Sequence, residues 1–304
     1  MIDGQGADVS ARKSNWGRWG ESDEKGALNL LTQETVLAAL RIPRTGKRYS
    51  LGIPIQRSGV PNMEYRGTPQ RLTMTNHSDE AMARANGGVP GVGAHEDQLI
   101  MPSHTSTHMD ALCHVYSENK IYNGHPHDGV SPYSGADKCG IENVDPIVGR
   151  GVLIDVAASK GVDVLPAGHV ITREELTQAL DEQGVALASG DLVLIRTGWL
   201  GDFMKSQGEM LPQPGIGIDA ATYLAECDVA LVGADNSAVE AIPFDQGVYL
   251  GGHIVLLVDN GIHLVENLNL EELAADKCHE FLLTIGALTI TGGTASPVTP
   301  VAVG

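Results

Sequence analysis

The segment Ser103–His114, SHTSTHMDALCH, places three of the chain's eleven histidines and one aspartate within eleven positions. Imidazole nitrogens and carboxylate oxygens are ligands that Zn²⁺, Mn²⁺ and Fe²⁺ accept in proteins. Two imidazoles and one carboxylate leave coordination positions open for water and substrate, which is typical of a catalytic site. The segment therefore predicts a divalent metal site that makes a nucleophile out of water, with His104, His108 and Asp110 as ligands.

The backbone of this segment decides whether its polar side chains can meet. An ideal helix, at about 100° per residue, would put His104 and His108 on one face and leave the other two groups nearly opposite. An extended middle instead points His108 and Asp110 to the same side, and a turn through Thr105-Ser106 brings His104 round to join them. His114 follows as a free imidazole that can move protons near neutral pH, so we predict that it is a catalytic acid and base.

The remaining histidines give weaker signals. His253 opens HIVLLVDNGIHLVENLNLEEL, and Glu266 follows thirteen positions later. Taken alone, the first fits a hydrogen-bonded histidine at a strand end and the second a solvated acid before a helix, but together they support a metal site. His263 lies in the same segment without a further indication of a role. His125 and His127, in NGHPHDG, fit a polar loop better than an adventitious metal site.

Three other segments are candidates for shaping a substrate site. Trp16 and Trp19 could close over an aromatic substrate, or could pack an N-terminal arm onto the surface. The Gly- and Pro-rich segments at 59–69 and 84–94 are candidate lids on composition alone.

Composition limits the class of protein. The 304 residues are 42% hydrophobic and 19% charged, which is typical of a globular chain. A net charge of −18 argues against nucleic acid or an anionic membrane as a partner, so we expect a small-molecule substrate. The four cysteines form no CxxC pair, and neither a signal peptide nor an apolar membrane span is visible. These features predict a soluble, cytoplasmic protein with reduced thiols.

Buried strands alternate with helices in the second half of the chain. The predicted strands are GVLIDVA (151–157), DLVLIRTG (191–198), DVALVGAD (228–235) and FLLTIGALTI (281–290). The predicted helices are QETVLAALR (33–41) after Thr32, REELTQALDEQ (173–183) between a Thr172 capping box and Gly184, AATYLAE (220–226) after Asp219, and LNLEELAADKC (268–278). HIVLLVDNGI (253–262) fits a strand or a buried helix. The alternation predicts one α/β domain over 1–304, with 1–31 as an N-terminal arm.

The spacing His104-x-x-Thr107-His108-x-Asp110-x-x-x-His114 resembles the HxGTHxDxxxH signature of the cyclase family of metal-dependent hydrolases, which includes kynurenine formamidase and isatin hydrolase. HIVLLVDNGIHLVENL is similar to the later His…Glu-Asn-Leu segment of that family, and WGRWGESDEKGALNLLT is similar to the start of its longer members. The chain has Ser106 where the signature has glycine, so a positive φ there would be strained. Leu112 stands where proline is frequent, which indicates the longer branch rather than kynurenine formamidase.

The resemblance implies a role for each matching residue. It implies that a divalent metal, Zn²⁺ or Mn²⁺ as one or two ions, is held by His104, His108 and Asp110. It implies that His114 is the acid and base beside the metal, and that Glu266 across the cleft is a second candidate for that role. It also implies that His253 and Glu266 bind a second metal or contact the substrate and the metal's water.

The resemblance further implies a mixed, partly barrel-like sheet flanked by helices, usually assembled as dimers or tetramers. The expected reaction is hydrolysis of a small cyclic or aryl amide, such as a lactam, imide or formamide, by a metal-activated water. A lactone or ester hydrolase on the same site is the first alternative. A non-haem iron oxygenase, with His108, Asp110 and His253 as a facial triad, and a non-catalytic metal- or ligand-binding protein are the others.

Overall fold

The centre of the fold is a mixed sheet of nine strands that curls into a half-barrel. The computed structural model describes residues 13–304. Its strands, numbered in chain order, are β1 (Arg48–Ser50), β2 (Gln70–Thr75), β3 (Glu96–Ile100), β4 (His108–Asp110), β5 (Val130–Ser131), β6 (Gly135–Ala136), β7 (Ile147–Asp155), β8 (Val170–Ile171), β9 (Leu192–Arg196), β10 (Gly215–Ile216), β11 (Leu231–Ala234), β12 (His263–Glu266), β13 (Glu280–Ile285), β14 (Ala295–Pro297) and β15 (Val301–Val303).

The large sheet has the order β1-β15-β13-β7-β9-β11-β12-β4-β14. Its middle, from β7 through β9 and β11 to β12, is parallel, and the strands on both sides pair antiparallel. The side chains of β9 and β11 are all buried, as expected for parallel strands covered on both faces. The structure therefore confirms the predicted α/β fold with a mixed, partly barrel-like sheet.

The fold also contains helices, several of which pack against this sheet. They are α1 (Gln33–Ala39), α2 (Glu80–Ala85), α3 (Val156–Ser159), α4 (Arg173–Gln183), α5 (Trp199–Ser206), α6 (Ile218–Glu226), α7 (Gly251–His253) and α8 (Glu271–Ala275), with a π-helical segment at Ile254–Asp259. Within residues 13–304, none of the helices combines the length and apolar character that crossing a bilayer requires. The capping box of α4 is confirmed, since Thr172 and Glu175 exchange side-chain to backbone hydrogen bonds and Gly184 ends the helix at φ 69°.

Two local predictions are wrong, and an open one is resolved. Asp219 does not cap α6, which begins at Ile218, two residues before the predicted start; its carboxylate instead accepts the backbone N–H of Arg173 at the start of α4. The predicted strand over 281–290 ends at Ile285. The apolar run at 253–262 is helical through Asp259 rather than extended, because α7 continues directly into the π-helical segment.

A hairpin of β2 and β3, with α2 between the two strands, stands apart from the large sheet. It exposes a set of large apolar side chains, namely Leu72, Met74, Met82, Val89, Val92, Leu99 and Ile100. The candidate lid segment at 84–94 belongs to this hairpin, whereas the other candidate lid, 59–69, contains a 3₁₀ turn at Glu64–Arg66.

Candidate metal centre

A sharp turn before β4 brings the first histidine of the motif back onto the strand. Ser106 has a φ of 51°, which reverses the chain, and His108 and Asp110 then lie two residues apart on an extended segment. The Nε2 atom of His104 lies 3.4 Å from Asp110 Oδ1, and the Nε2 atom of His108 lies 3.7 Å from the same oxygen. The backbone geometry expected from the sequence is therefore present.

Hydrogen bonds from a distant strand end hold this turn in place. The hydroxyl of Thr107 donates to the carbonyl of Asn267 at 2.7 Å and accepts the N–H of Ile53 at 2.9 Å. The side chain of Asn267 donates to the carbonyl of Ser106 at 3.1 Å. The same carbonyl accepts Nδ1–H of His108 at 3.0 Å, which leaves the Nε2 lone pair of that ring for a metal.

The left-handed backbone at Ser106 gives a stability prediction. Both Ser106→Gly and Ser106→Ala lose the 3.0 Å hydrogen bond from the hydroxyl to the carbonyl of Pro54, but only glycine also relieves the positive φ. We expect the glycine variant to be more stable than the alanine variant by about 1 kcal/mol. Chemical denaturation of the two metal-free variants measures this difference. Equal stability, or a more stable alanine variant, would contradict the assignment of strain to this residue.

The second half of the site comes from β12 and α7. Glu266 is paired in register with His108 across the antiparallel strands, and its Oε2 atom lies 3.2 Å from His108 Nε2. His253, buried at the end of α7, places its Nε2 atom 3.6 Å from Glu266 Oε1 and 3.9 Å from Asp110 Oδ2. The structure therefore brings all six predicted polar side chains to one centre around Asp110.

Ligand atoms within 4.8 Å of one another form two groups that share Asp110, one with His104 and His114 and the other with His253 and Glu266. The first group contains His114, predicted to be a free acid and base, so its distances alone allow His114 to be a ligand, whereas the predicted ligand His108 belongs to neither group. Because both groups contain Asp110, the ligand atoms are arranged to hold either one metal ion or two.

Unpartnered polar atoms show that these residues fit a cation. In residues 13–304, the buried side-chain atoms without a hydrogen-bond partner include five that converge on this centre, namely His104 Nε2, His108 Nε2, both carboxylate oxygens of Asp110 and Glu266 Oε2. A buried carboxylate without a partner is costly, and coordination by a divalent metal would satisfy these atoms together. Imidazole and carboxylate donors suit Zn²⁺, Mn²⁺ and Fe²⁺.

Burial and mutual charge shift the pKa values inside the centre. Burial lowers the pKa of His104 far below its ordinary value, with a further contribution from neighbouring His114, whose own pKa is lowered mainly by burial. These two rings are therefore neutral and can offer a lone pair. Burial also opposes protonation of His253, but the hydrogen bonds and negative charges of Glu240 and Glu266 together outweigh this effect and raise the pKa of His253 to about 10.

Glu240, which no sequence motif singled out, orients His253. Its Oε1 atom accepts Nδ1–H of His253 at 2.5 Å, and Oε2 accepts the N–H of Gly252 at 2.9 Å. A carboxylate on the far nitrogen of a ligand histidine fixes the ring and its tautomer. An acid in the apolar run AVEAI could have pointed to a buried, partnered carboxylate, because unpaired acids are rarely buried.

His263 also has a positioning role that its sequence context did not indicate. Its Nδ1–H donates to the carbonyl of Asp110 at 2.9 Å, which ties β12 to the end of β4. Burial lowers the pKa of His263 to about 4, so the ring that makes this bond is neutral. His125 and His127, in the segment NGHPHDG, belong to neither ligand group.

A cavity of about 620 Å³ opens onto one side of the centre. His114, His253 and Glu266 line it, whereas His104 and His108 do not. The rest of the wall is apolar and aromatic, with one arginine, and consists of Met63, Tyr65, Arg66, Val115, Tyr116, Leu211, Ser237, Ala238, Ile242, Phe244, Tyr249, Leu250 and Ile254. The predicted lid segment 59–69 thus contributes to the cavity, and the segment 84–94 does not.

The two tryptophans predicted to cover a substrate lie elsewhere. Trp16 donates its indole N–H to the carbonyl of Val258 at 2.7 Å, and Trp19 packs against Arg18, 4.8 Å from its ring centre. Both rings pack on the main core, and neither lines the cavity. The structure therefore does not bring these side chains to the site, and it favours the alternative in which they pack the N-terminal segment onto the domain.

Comparison with known proteins places this fold and site in a family. A family model described as Putative cyclase matches residues 49–241. A crystal structure described as that of a novel cyclase is 35% identical, with a TM-score of 0.86 over 96% of this chain and 100% of its own. The chain therefore belongs to the cyclase family. A comparison with curated proteins gives no match.

Two more distant structures share the fold. An isatin hydrolase bound to the product analogue thioisatinate is 17% identical, with a TM-score of 0.61 over 90% of this chain and 98% of its own. A predicted metal-dependent hydrolase from Bacillus stearothermophilus is 20% identical, with a TM-score of 0.54 over 84% of this chain and 97% of its own.

Proposed function

We propose that this protein is a metal-dependent hydrolase that cleaves a small cyclic or aryl amide, such as a lactam, imide or formamide. The main support for the proposal is that unpartnered ligand atoms converge on Asp110 and that this same centre opens into an aromatic-lined cavity. Such a cavity, at about 620 Å³, is of the size that encloses a small organic molecule. The hydrolase names of proteins with this fold agree with the proposal.

In this proposal His104, His108 and Asp110 hold the metal, and His253 and Glu266 either hold a second ion or contact the substrate. A bound divalent cation, Zn²⁺ or Mn²⁺, supplies Lewis acidity that acidifies water and polarises a carbonyl oxygen. The hydrogen bonds of His108 to Ser106 and of His253 to Glu240 fix both rings before the substrate arrives.

His114 is the proposed acid and base. It lines the cavity, and its ring centre lies 4.1 Å from that of His104 and 6.4 Å from that of His253. From this position it takes a proton from the attacking water and returns one to the leaving nitrogen as the C–N bond breaks. Glu266, on the opposite wall, is the alternative base.

The wall chemistry supports an aryl or cyclic substrate. Tyr65, Tyr116 and Tyr249 line the cavity with 80%, 58% and 73% of their surface exposed, and Phe244 meets Tyr249 edge to face at 5.1 Å. Exposed aromatic rings around a cavity are suited to packing on a planar ligand. A lactone or ester hydrolase fits the same site. The iron oxygenase alternative is less well supported, because that chemistry usually occupies an all-β jelly roll and this fold is α/β.

The proposed function is tested by metal analysis followed by a substrate screen. We expect the purified protein to contain Zn²⁺ or Mn²⁺, and to hydrolyse at least one member of a panel of aryl formamides, lactams and imides faster than the matching lactones. Chelation should abolish turnover, and the same metal should restore it. Full turnover by the metal-free protein, or oxygen consumption with added Fe²⁺ in place of hydrolysis, would contradict the proposal.

Assembly and location form part of the same proposal. Membership of the cyclase family supports a homodimer or homotetramer, and the exposed apolar side chains of the β2–β3 hairpin are consistent with a contact between copies. The dispersed, unpaired cysteines support a cytoplasmic location.

A further inference from the structure

One cation faces the cavity beside the candidate metal centre. Arg66 ends the 3₁₀ turn Glu64–Arg66 and, among the described residues that line this cavity, is the one lysine or arginine. Its Nη1 atom donates to the carbonyl of His104 at 3.1 Å, and its guanidinium lies 5.4 Å from the ring centre of Tyr65. The hydrogen bond to His104 places the guanidinium next to the metal ligands.

Within residues 13–304, no carboxylate forms an ion pair with Arg66. Arg66 is one of several described arginines without an acid partner, and it is the one of them that lines the cavity, whereas other arginines of the fold form ion pairs. Arg150 pairs with Asp191, for example, and Arg196 pairs with Asp155. A guanidinium presents five N–H donors in a planar fork that matches a carboxylate. Most of these donors on Arg66 remain available to a ligand in the cavity.

Other side chains of the cavity wall provide further contacts for a ligand. Tyr65, Tyr116, Phe244 and Tyr249 offer apolar ring faces, while Glu266, at the metal centre, is the one acid among the lining residues. A ligand that packs its ring on these aromatic side chains can thus reach the metal centre with one group and Arg66 with another. Arg66 gives the cavity a positive pole on its wall, in a protein whose net charge is −18.

We propose that Arg66 binds a carboxylate carried by the substrate, so that the enzyme prefers an anionic aryl amide over its neutral analogue. This inference rests on the proposed hydrolase function, since it names the substrate class of the same cavity. Arg66 is then a specificity-determining residue. The same ligand chemistry could come from the carboxylate that hydrolysis releases, and the experiment must separate these two sources.

The first arm of the test measures binding without turnover. Metal-loaded wild-type, Arg66→Gln and Arg66→Lys proteins are titrated with 2-naphthoate and with the neutral ketone 2-acetonaphthone, which has no bond to hydrolyse. We expect Arg66→Gln to weaken naphthoate binding roughly 10- to 100-fold and to change acetonaphthone binding less than about twofold, because a charge-assisted bidentate pair is lost. Arg66→Lys keeps the positive charge but not the planar pair of N–H donors, so its affinity for naphthoate should fall less.

The second arm measures hydrolysis of 4-formamidobenzoate and 4-formamidobenzamide. Arg66→Gln is expected to raise KM for the anionic formamide by a similar factor and to leave KM for the neutral one unchanged. If KM is unchanged for both while naphthoate binds more weakly, Arg66 contacts the product carboxylate and the substrate proposal fails. If neither formamide is hydrolysed by the wild-type protein, the proposed amide specificity fails, whereas the naphthoate titration still decides whether Arg66 binds a carboxylate.

A purely structural role for Arg66 predicts a different result, because this residue also bonds to the carbonyl of His104. In that case Arg66→Gln would lose metal and would weaken the binding of naphthoate and acetonaphthone equally. Metal content, measured on the same preparations, should instead match the wild-type protein. An equal loss for the two probes would overturn the proposal.

Discussion

Asp110→Asn is expected to abolish metal binding and to lower kcat/KM by at least about a thousandfold, since a bound metal contributes several kcal/mol to catalysis of this kind. Asp110 is fully buried, belongs to both ligand groups, and its two oxygens have no hydrogen-bond partner in the described chain. The amide keeps the size of the side chain but removes its charge and one of its two acceptor oxygens. Among the described residues, it is the one that belongs to both ligand groups.

The measurement is metal content together with the thermal shift that metal produces. A cation that binds the folded protein raises Tm, so the wild-type protein should gain stability on addition of Zn²⁺ or Mn²⁺ and the variant should not. Asp145→Asn is the matched control, because the Asp145 side chain is 70% exposed and lies in neither ligand group. An Asp110→Asn protein that retains both metal and turnover would show that this centre is not the metal site.

The local motif was predictable from the sequence because its geometry depends on neighbouring residues. Residues two positions apart on an extended strand point to the same face, so His108 and Asp110 lie together. The turn at Ser106 was expected because His104 must return to that face. The strain at Ser106 was visible in the same way, as a serine where the family signature has glycine. The capping box at Thr172 is another local signal, complete within four residues.

The rest of the centre depends on contacts that spacing does not encode. Glu266 meets His108 through a strand register across 158 positions, and Glu240 reaches His253 only because the run after Leu250 is helical rather than extended. The apolar period of that run does not separate helix from strand. The mistaken cap at Asp219 has a similar origin: its carboxylate accepts an N–H of α4, a helix 46 positions earlier.

The residues of the cavity wall, which would determine substrate specificity, were also not predictable from the sequence. Arg66 lies in a Gly- and Pro-rich segment that composition suggested as a lid, yet composition gave no reason to single out this arginine. Its functional interest comes from its position beside the carbonyl of His104 and from the lack of an acid partner within the described chain. Conversely, Trp16 and Trp19 looked suited to an aromatic substrate, but the hydrogen bond of Trp16 to Val258 directs that ring to the core instead.

His114→Gln is expected to lower kcat by roughly a hundredfold to ten-thousandfold while metal content stays at the wild-type level. The reason is the difference in position among the histidines of the motif. His108 has Nδ1 bonded to a carbonyl and Nε2 directed at the centre, whereas His114 lines the cavity where substrate must lie. Glutamine preserves hydrogen bonding but cannot take up a proton near neutral pH, so it removes proton transfer in particular.

The competing assignment makes His114 a metal ligand, which the distances to His104 and Asp110 allow. It predicts that His114→Gln loses metal in proportion to activity, so metal content and kcat measured on one preparation separate the two roles. His77→Gln is the control, because His77 is exposed on the β2–β3 hairpin and should leave both quantities unchanged. If Glu266 is the base instead, His114→Gln should retain most of the wild-type kcat, because the residue that takes the proton is still present.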